Sequence, residues 1–376
     1  MTAPPDSIPV NEPLLDGNEM KYLAECIQTG WISSEGPFVG QFEERFAARV
    51  GRRFGIAVMN GSAALEVSVA AMGIGPGDEV ILPAFTIISC AAAVVRAGAR
   101  PVLVDSDPST WNMVPEQVEE KITTKTRAIL VVHTYGLPVD LDPILALANR
   151  HGVPVIEDAA EMHGQTYRGR KCGSFGRLSA FSFYPNKHLT TGEGGMIVTD
   201  DIGLANRCRS LRNLCFQPGK RFVHEELGWN FRMTNLQAAV GLAQLERLDE
   251  FVERKRKMGR RYTRLLADLP GVQLPVERTS YAENIYWVYG VVLDDAVPYE
   301  AGEAMGRLAS LGVGTRPFFW PMHEQPVFKR MGLFGTDSFP VAERLARRGF
   351  YIPSGLALTE GQIEQAAARV REALAR

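Results

Sequence analysis

Long hydrophobic runs are missing from this 376-residue chain. No stretch of about 18 uncharged apolar residues occurs, which excludes a membrane-spanning helix. Net charge is almost missing too. Lys and Arg number 41 against 43 Asp and Glu, leaving a formal charge of −2. That balance excludes the strongly basic footprint of a general nucleic-acid binder and the composition of an acidic disordered tail. Cysteine is sparse, at five residues (Cys26, Cys90, Cys172, Cys208, Cys215), with no C-x-x-C pair. Such scattered thiols read as the reduced, buried cysteines of a cytoplasmic protein. The opening stretch, MTAPPDSIPVNEP, has neither the positive segment nor the apolar core of a secretory signal, and is not expected to be one. His133, His151, His163 and His224 show no paired ligand spacing, so no metal site is expected. Repeats and low-complexity tracts are also missing.

What remains is ordinary globular composition, 45% apolar and 22% charged. At about 150 residues per domain, the length suggests roughly two to three domains and a core that needs no disulfide or metal staple. Residues 1–13 read as a proline-rich extended arm. Met20, Leu23, Ala24 and Ile27 recur at helical spacing over 16–29. Alternation of α and β patterns follows. Strands are expected at 56–59, 80–82, 102–104, 128–132 and 153–156, with helices at 62–72, 87–97, 116–122 and 142–150. Two further runs, 178–183 and 195–198, read as strands flanking a turn. The strands are short continuous apolar runs, as expected when helices cover both faces of a parallel sheet. One long helix is expected from Thr234, capped through Gln237, as far as the basic stretch Arg254–Arg261. Beyond about Pro270 the pattern changes. A strand at 286–293, a helix at 299–311, an extended run at 313–319 and helices at 341–348 and 359–374 follow. The fold class is therefore α/β. A large domain of 14–255, with a mostly parallel sheet covered by helices, is followed by a smaller α+β domain of 256–376.

Three features carry chemistry. Asp158 closes a buried strand in Val155-Ile-Glu-Asp-Ala-Ala-Glu161, at the edge where open α/β sheets place their ligands. A carboxylate there needs a cation or strong hydrogen bonds. Lys187 lies 29 residues further on, between an apolar strand and a Thr/Gly-rich turn. Asn60-Gly61-Ser62 opens a helix straight after a strand, so free N–H groups and the positive end of the helix dipole make an anion site, to which Ser182 can add a hydroxyl. Taken singly, each has a plainer reading: a structural carboxylate, a solvated lysine, an ordinary helix cap.

Together they resemble a family. The matching segments are Leu15-Asp-Gly-Asn18, Trp31-Ile-Ser-Ser34, Asn60-Gly-Ser62, Gly75-Pro-Gly-Asp-Glu-Val80, Glu157-Asp-Ala-Ala-Glu161, Thr190-Thr-Gly-Glu-Gly-Gly195 and Asn230-Phe-Arg-Met-Thr-Asn235. In register over nearly the whole chain, they are similar to the DegT/DnrJ/EryC1/StrS sugar aminotransferases, which depend on pyridoxal phosphate and share the aspartate-aminotransferase (type I) fold. The resemblance implies that Lys187 bonds the cofactor aldehyde and then moves protons. It implies that Asp158 pairs with the pyridine nitrogen, that Ala160 and Phe85 lie against the two ring faces, and that Glu161 orients the ring. Gly61, Ser62 and Ser182 would hold the phosphate, and Asn230 would complete that site from the other subunit of a homodimer.

The resemblance further implies that glutamate gives its amino group to a nucleotide-linked keto-sugar. The stretch Asn186-Lys-His-Leu-Thr-Thr-Gly-Glu-Gly-Gly195 resembles relatives that aminate C4 of 4-keto-6-deoxy sugars, with GDP-4-keto-6-deoxymannose favoured. Amination at C3, or a sugar dehydratase of the same fold, is the alternative. The dehydratase replaces the lysine with histidine, whereas Lys187 is present. Tyr184-Pro185 and His188 depart from the usual Phe-Gly and Thr or Ile. Substrate contacts are expected from Trp31 and Ser33. Arg221 and His323 match sugar-nucleotide contacts or are a surface charge and a satisfied histidine. His188 reads as a wall of the pocket. Arg254–Arg261 reads as a nucleotide-diphosphate site or a solvated helix face.

Overall fold

The short apolar runs become one sheet in the computed structural model, which describes residues 7–217, 219–220 and 222–375. Its first five strands are β1 (Phe54–Val58), β2 (Glu79–Pro83), β3 (Arg100–Val104), β4 (Thr126–Val132) and β5 (Val155–Asp158). A small hairpin of β6 (Thr166–Tyr167) and β7 (Arg170–Lys171) intervenes, and β8 (Leu178–Ser182) and β9 (Gly195–Thr199) complete the sheet. The order is β1-β9-β8-β5-β4-β2-β3. Only β9 runs antiparallel to its neighbours.

Alternate strand residues enter two separate apolar layers, as the two-residue period of a pleated strand requires. Ile56, Val80, Leu82, Leu130, Ile156 and Ile197 face one layer, which includes helices Gly61–Ala71 and Ile88–Arg96. Ala57, Ile81, Ile129, Val131, Phe181 and Val198 face the other, with helices Pro37–Val50, Leu141–His151 and Asn235–Leu245. Burial on both faces is why these strands read as continuous rather than alternating apolar runs. The carboxyl ends of β1, β4, β5 and β8 meet at one edge, and there Asn60, His133, Asp158 and Ser182 come together.

A second, antiparallel sheet is built from β10 (Val272–Gln273), β11 (Tyr289–Leu293), β12 (Arg316–Pro317) and β13 (Gly349–Ile352), in the order β10-β11-β13-β12. The described part of the arm is extended and bound to this region. Ile8 exchanges hydrogen bonds with Gly312 and Gly314, both at 2.8 Å, and Ser354 donates to the Val10 carbonyl at 2.9 Å.

Three differences from the sequence reading have physical causes. Helix Pro37–Val50 was not anticipated, although Phe38, Phe42, Phe46 and Val50 form one buried stripe between Pro37 and Gly51. Helix Ile202–Arg212, capped by the Asp201 carboxylate, was also missed, because its polar majority masks the buried Ala205, Cys208 and Leu211. The long helix expected from Thr234 is two helices, Asn235–Leu245 and Leu248–Leu266. The first packs against Glu19–Thr29 and Pro37–Val50, the second against Glu360–Leu374, and one straight rod cannot face both. Asn18 and Tyr22 fix the break by donating to the Glu246 carboxylate, each at 2.8 Å. The Thr234–Gln237 capping box itself is present. Leu248 and Val252 join the core of the large sheet, whereas Met258, Tyr262 and Leu266 join that of the small one. We propose on this basis that the two domains divide near Lys255.

Close approach of Pro37–Val50 to β1 depends on Gly55. A Cβ there would lie 2.3 Å from the Glu43 carbonyl oxygen, a backbone atom that cannot swing away. Gly55→Ala is expected to lower unfolding stability by about 1–3 kcal/mol, measured as a fall in the denaturant midpoint at unchanged slope.

Candidate active site

Asp158 ends β5 and is buried. Its Oδ1 accepts the Ala160 N–H at 3.0 Å, and its Oδ2 accepts the Cys90 thiol, with sulfur at 3.2 Å. Burial raises its pKa, opposed by those two donors and by the Lys187 charge. Glu157, just before it, points to the opposite face and is spent on structure. It accepts from His133 Nε2 at 3.0 Å, Gly173 N at 2.6 Å and Ser179 Oγ at 3.0 Å. The His133 tautomer follows, since Nδ1 accepts from Val139 N at 3.2 Å and Nε2 therefore carries the proton. With Cys172 these two residues form a cluster of metal-ligand type, but hydrogen bonds already occupy the carboxylate.

Lys187 stands in the turn after β8. Hydrogen bonds to the Phe183 carbonyl from Thr191 N at 3.0 Å and Thr190 Oγ1 at 2.8 Å hold the turn closed. Asn11 of the arm donates to the Pro185 carbonyl at 3.1 Å. The lysine Nζ lies 3.9 Å from Glu161 Oε1 and 3.7 Å from the centre of the Trp287 ring. Trp287 is anchored in turn by its indole N–H, which donates to the Asn186 carbonyl at 2.8 Å. Burial pulls the amine down from its ordinary pKa, and the Glu161 and Asp158 charges only partly offset it. Burial also pushes Glu161 up to about 8, against Lys187 and the Tyr135 N–H. Desolvation thus drives both partners toward their neutral forms.

The opposite end of the site suits an anion. Asn60 Oδ1 caps Ala63 N at 2.8 Å, which leaves the N–H groups of Gly61 and Ser62 ahead of the first intrahelical bonds. Ser182 crowds this end, where a Cβ on Gly61 would lie 2.6 Å from its Cβ. Ser62 Oγ meets Ser89 Oγ at 2.7 Å. A cavity of about 480 Å³ joins the two ends, lined by Gly61, Ser62, Ser182, Asp158, Ala160, Glu161 and Lys187. That volume lies in the range of cofactor pockets. A carboxylate, a buried amine and a helix N-terminus around one cavity fit pyridoxal phosphate, whose ring nitrogen, aldehyde and phosphate need these three groups.

Other expected residues lie elsewhere. Phe85 is fully buried against Tyr135, Phe318 and Phe319 and does not line the cavity; Thr86 and Ile87 of the same turn do. Asn230 is exposed and pairs with Asn213 through the backbone, outside this cavity. Trp31 is half exposed. Ser33 lines a separate cavity of about 650 Å³ with Arg212 and Arg232. His188 is buried with Nε2 on the Ile285 carbonyl at 3.0 Å, and His323 bonds Glu343 at 3.0 Å; neither lines the cavity. Arg221 lies outside the described residues.

The basic stretch borders a cavity of about 680 Å³. Arg260 there pairs with Glu253 and Glu283, and Arg261 with Glu364. Lys255 is the exception, because it turns inward. It is buried, and its Nζ donates to the carbonyls of Trp287, at 2.8 Å, and of Ser354. Trp287, Ser89, Phe319 and Tyr351 also line the active-site cavity and were not anticipated. They come from distant segments, and no local pattern sets them apart from core residues.

The DegT/DnrJ/EryC1/StrS aminotransferase family model matches residues 13–371. GDP-perosamine synthase of Caulobacter vibrioides is 44% identical, over 98% of both chains. GDP-perosamine synthase of Escherichia coli O157:H7 is 40% identical, over 95% of both. The crystal structure of the aminotransferase TlmJ from Streptoalloteichus hindustanus superposes with a TM-score of 0.90 at 33% identity, covering 98% of this chain and 99% of that one.

Burial lowers Lys255 to about 7, with the Lys187 charge adding to the effect. Above that pH the folded chain binds one proton fewer here than the unfolded chain does. This lysine's contribution to stability therefore rises with pH from about 7 to the ordinary lysine range. Lys255→Met should flatten the dependence by up to about 1.4 kcal/mol per pH unit. Denaturant titrations between pH 7 and 9.5 would read the change; an unaltered slope means that the amine titrates normally.

Proposed function

Because the chain belongs to the DegT/DnrJ/EryC1/StrS aminotransferase family, we propose that it transfers the amino group of glutamate to C4 of GDP-4-keto-6-deoxymannose, giving GDP-perosamine. The observation that carries the aminotransferase chemistry is Lys187, buried between Glu161 and the Trp287 face in the cavity that Asp158 also lines. Similarity to two GDP-perosamine synthases over nearly the full length supports the choice of sugar.

When bound, pyridoxal phosphate supplies an aldehyde that carries nitrogen and a ring that takes up electron density. The N–H groups of Gly61 and Ser62, with the Ser182 hydroxyl, would hold the phosphate at the helix N-terminus. Asp158 would keep a proton on the ring nitrogen. Lys187, whose pKa burial lowers, would serve as the nucleophile toward the aldehyde and as a base once displaced. It would take a proton from the α-carbon of glutamate, whose nitrogen would stay with the cofactor while the carbon skeleton takes up water and leaves as 2-oxoglutarate. Later it would deliver one to C4 of the sugar, whose keto oxygen would leave as water. Glu161, pushed toward its protonated form by burial, lies 3.9 Å from the Lys187 amine, an ion-pair rather than a hydrogen-bond distance. Trp287, Phe319 and Tyr351 form an aromatic wall that limits water at the amine.

The reading includes a homodimer with shared sites. Met20 and Ile27 of helix Glu19–Thr29 are 78% and 66% exposed. Asn230 is on the surface as well, which supports its reaching the phosphate of a second copy.

Incubation with glutamate and a panel of nucleotide-linked 4-keto-6-deoxy sugars should yield an aminated product from the GDP sugar, read by mass. Reaction with only another nucleotide sugar would overturn the substrate. Lys187→Ala should fold, bind cofactor and lose turnover; residual activity within about tenfold, or 1.4 kcal/mol of barrier, would sink its assignment.

Asn230→Ala should weaken cofactor binding by about 1–3 kcal/mol if a charge-assisted hydrogen bond is lost. Mixing Lys187→Ala and Asn230→Ala chains should regenerate one site holding both residues, and so restore activity. No gain after verified subunit exchange would make Asn230 a helix-entry residue only.

A further inference from the structure

Cys90 lies in the first turn of helix Ile88–Arg96, completely buried. Its sulfur is 3.2 Å from Asp158 Oδ2 and 3.4 Å from Thr86 Oγ1. Burial and the neighbouring carboxylate keep this group a thiol with its proton. An ionised carboxylate can only accept, so the single S–H proton points at Oδ2. The Thr86 hydroxyl must then donate to sulfur. The bonds run one way, from Thr86 to Cys90 to Asp158. Thr86 lines the cavity, and among the described residues no group donates to its hydroxyl oxygen.

The other carboxylate oxygen receives the Ala160 N–H. Among the described residues no other side chain donates a hydrogen bond to Asp158. Among the described residues Cys90 is therefore the one side-chain hydrogen-bond donor that, alongside the more distant Lys187 charge, resists protonation of a carboxyl held out of water. It also fixes the rotamer, since one oxygen is held from helix Ile88–Arg96 and the other from the turn after β5.

We propose that Cys90 is a positioning residue for this reaction: its thiol holds Asp158 ionised and oriented toward the cavity. The proposal rests on Asp158 serving the cofactor ring nitrogen. A thiol is a weak donor, yet a hydrogen bond to a charged acceptor is stronger than one between neutral groups. Its small, largely apolar body also suits a dry position where a hydroxyl would demand more partners.

The test compares Cys90→Ala and Cys90→Ser with the parent in two readouts. The first is the carboxyl titration of Asp158 in cofactor-free protein, followed by carbon NMR of labelled aspartate. The second is the dissociation constant for pyridoxal phosphate between pH 5.5 and 8.5. Loss of the donor favours the protonated carboxyl. Cys90→Ala should therefore move the Asp158 titration to higher pH by roughly half to one unit, weakening cofactor binding about three- to tenfold on the acid side and little at pH 8.5. Cys90→Ser, which restores a donor, should return both curves to the parent's. If Cys90→Ala does not fold, Thr86→Val removes the donor to sulfur and should move the titration in the same direction by less. Unchanged titration in Cys90→Ala, or serine behaving as alanine does, overturns the proposal and leaves Cys90 a space-filling core residue. Asp158→Asn separates the two readings. If that variant keeps the parent's pH dependence of cofactor binding, Asp158 is not the ring's partner and the functional assignment fails, while the cofactor-free titration still decides the role of Cys90.

Discussion

Keeping an amine and two carboxyls out of water at one sheet edge is the constraint around which the rest of the molecule is arranged. Lys187, Asp158 and Glu161 all lie where burial penalises charge. A lysine left in solvent would be almost wholly protonated and a poor nucleophile. Burial raises both carboxyls; Asp158 is given two donors that oppose the rise, whereas Glu161 receives a single backbone N–H and is pushed up to about 8. Two acidic groups side by side thus meet the same desolvation with different hydrogen-bond supply.

That dry edge depends on parts brought from across the chain. The Trp287 ring lies under the Lys187 amine, and its carbonyl is held by Lys255 from the helix that joins the two cores. Asn11 of the arm holds the Pro185 carbonyl, two residues before Lys187. One apolar core runs from Ile56, Leu82 and Leu130 of the large sheet to Trp287, Val292 and Leu345 beside the small one, so the packing between the two sheets bears on where the lysine sits.

At the helix N-terminus end of the cavity the constraint is space rather than charge. Gly61 lets Ser182 come within van der Waals contact of the helix start, and Gly195 does the same for β9, where a Cβ would lie 2.5 Å from the Asn60 carbonyl oxygen. An anion there meets backbone donors directly, without a side chain between.

Much of this was legible in the residues. Continuous apolar strands between helical stretches specify a parallel sheet because both faces must be covered. Asp158, Lys187 and Asn60-Gly61-Ser62 stand at strand ends, where local pattern and topology agree. Residues whose roles arise only from contacts between distant segments were not legible. Lys255 is one of several like cations on a basic helix, and only packing turned it inward. Cys90 looked like any buried thiol until the fold set it 3.2 Å from Asp158. Phe85 and Ile87 lie two residues apart, and backbone direction at the end of β2 decided which faced the cavity. The break in the expected long helix likewise came from two packing surfaces with different orientations. By itself the sequence determined most of the elements, the sheet and the candidate groups at its strand ends, because periodicity and strand ends are local; the amphipathic stripe of Pro37–Val50 and the polar helix Ile202–Arg212 were not read from it. The tertiary structure decided which neighbours surround those groups, and with them charge state and orientation, because desolvation and hydrogen-bond supply are properties of the assembled edge.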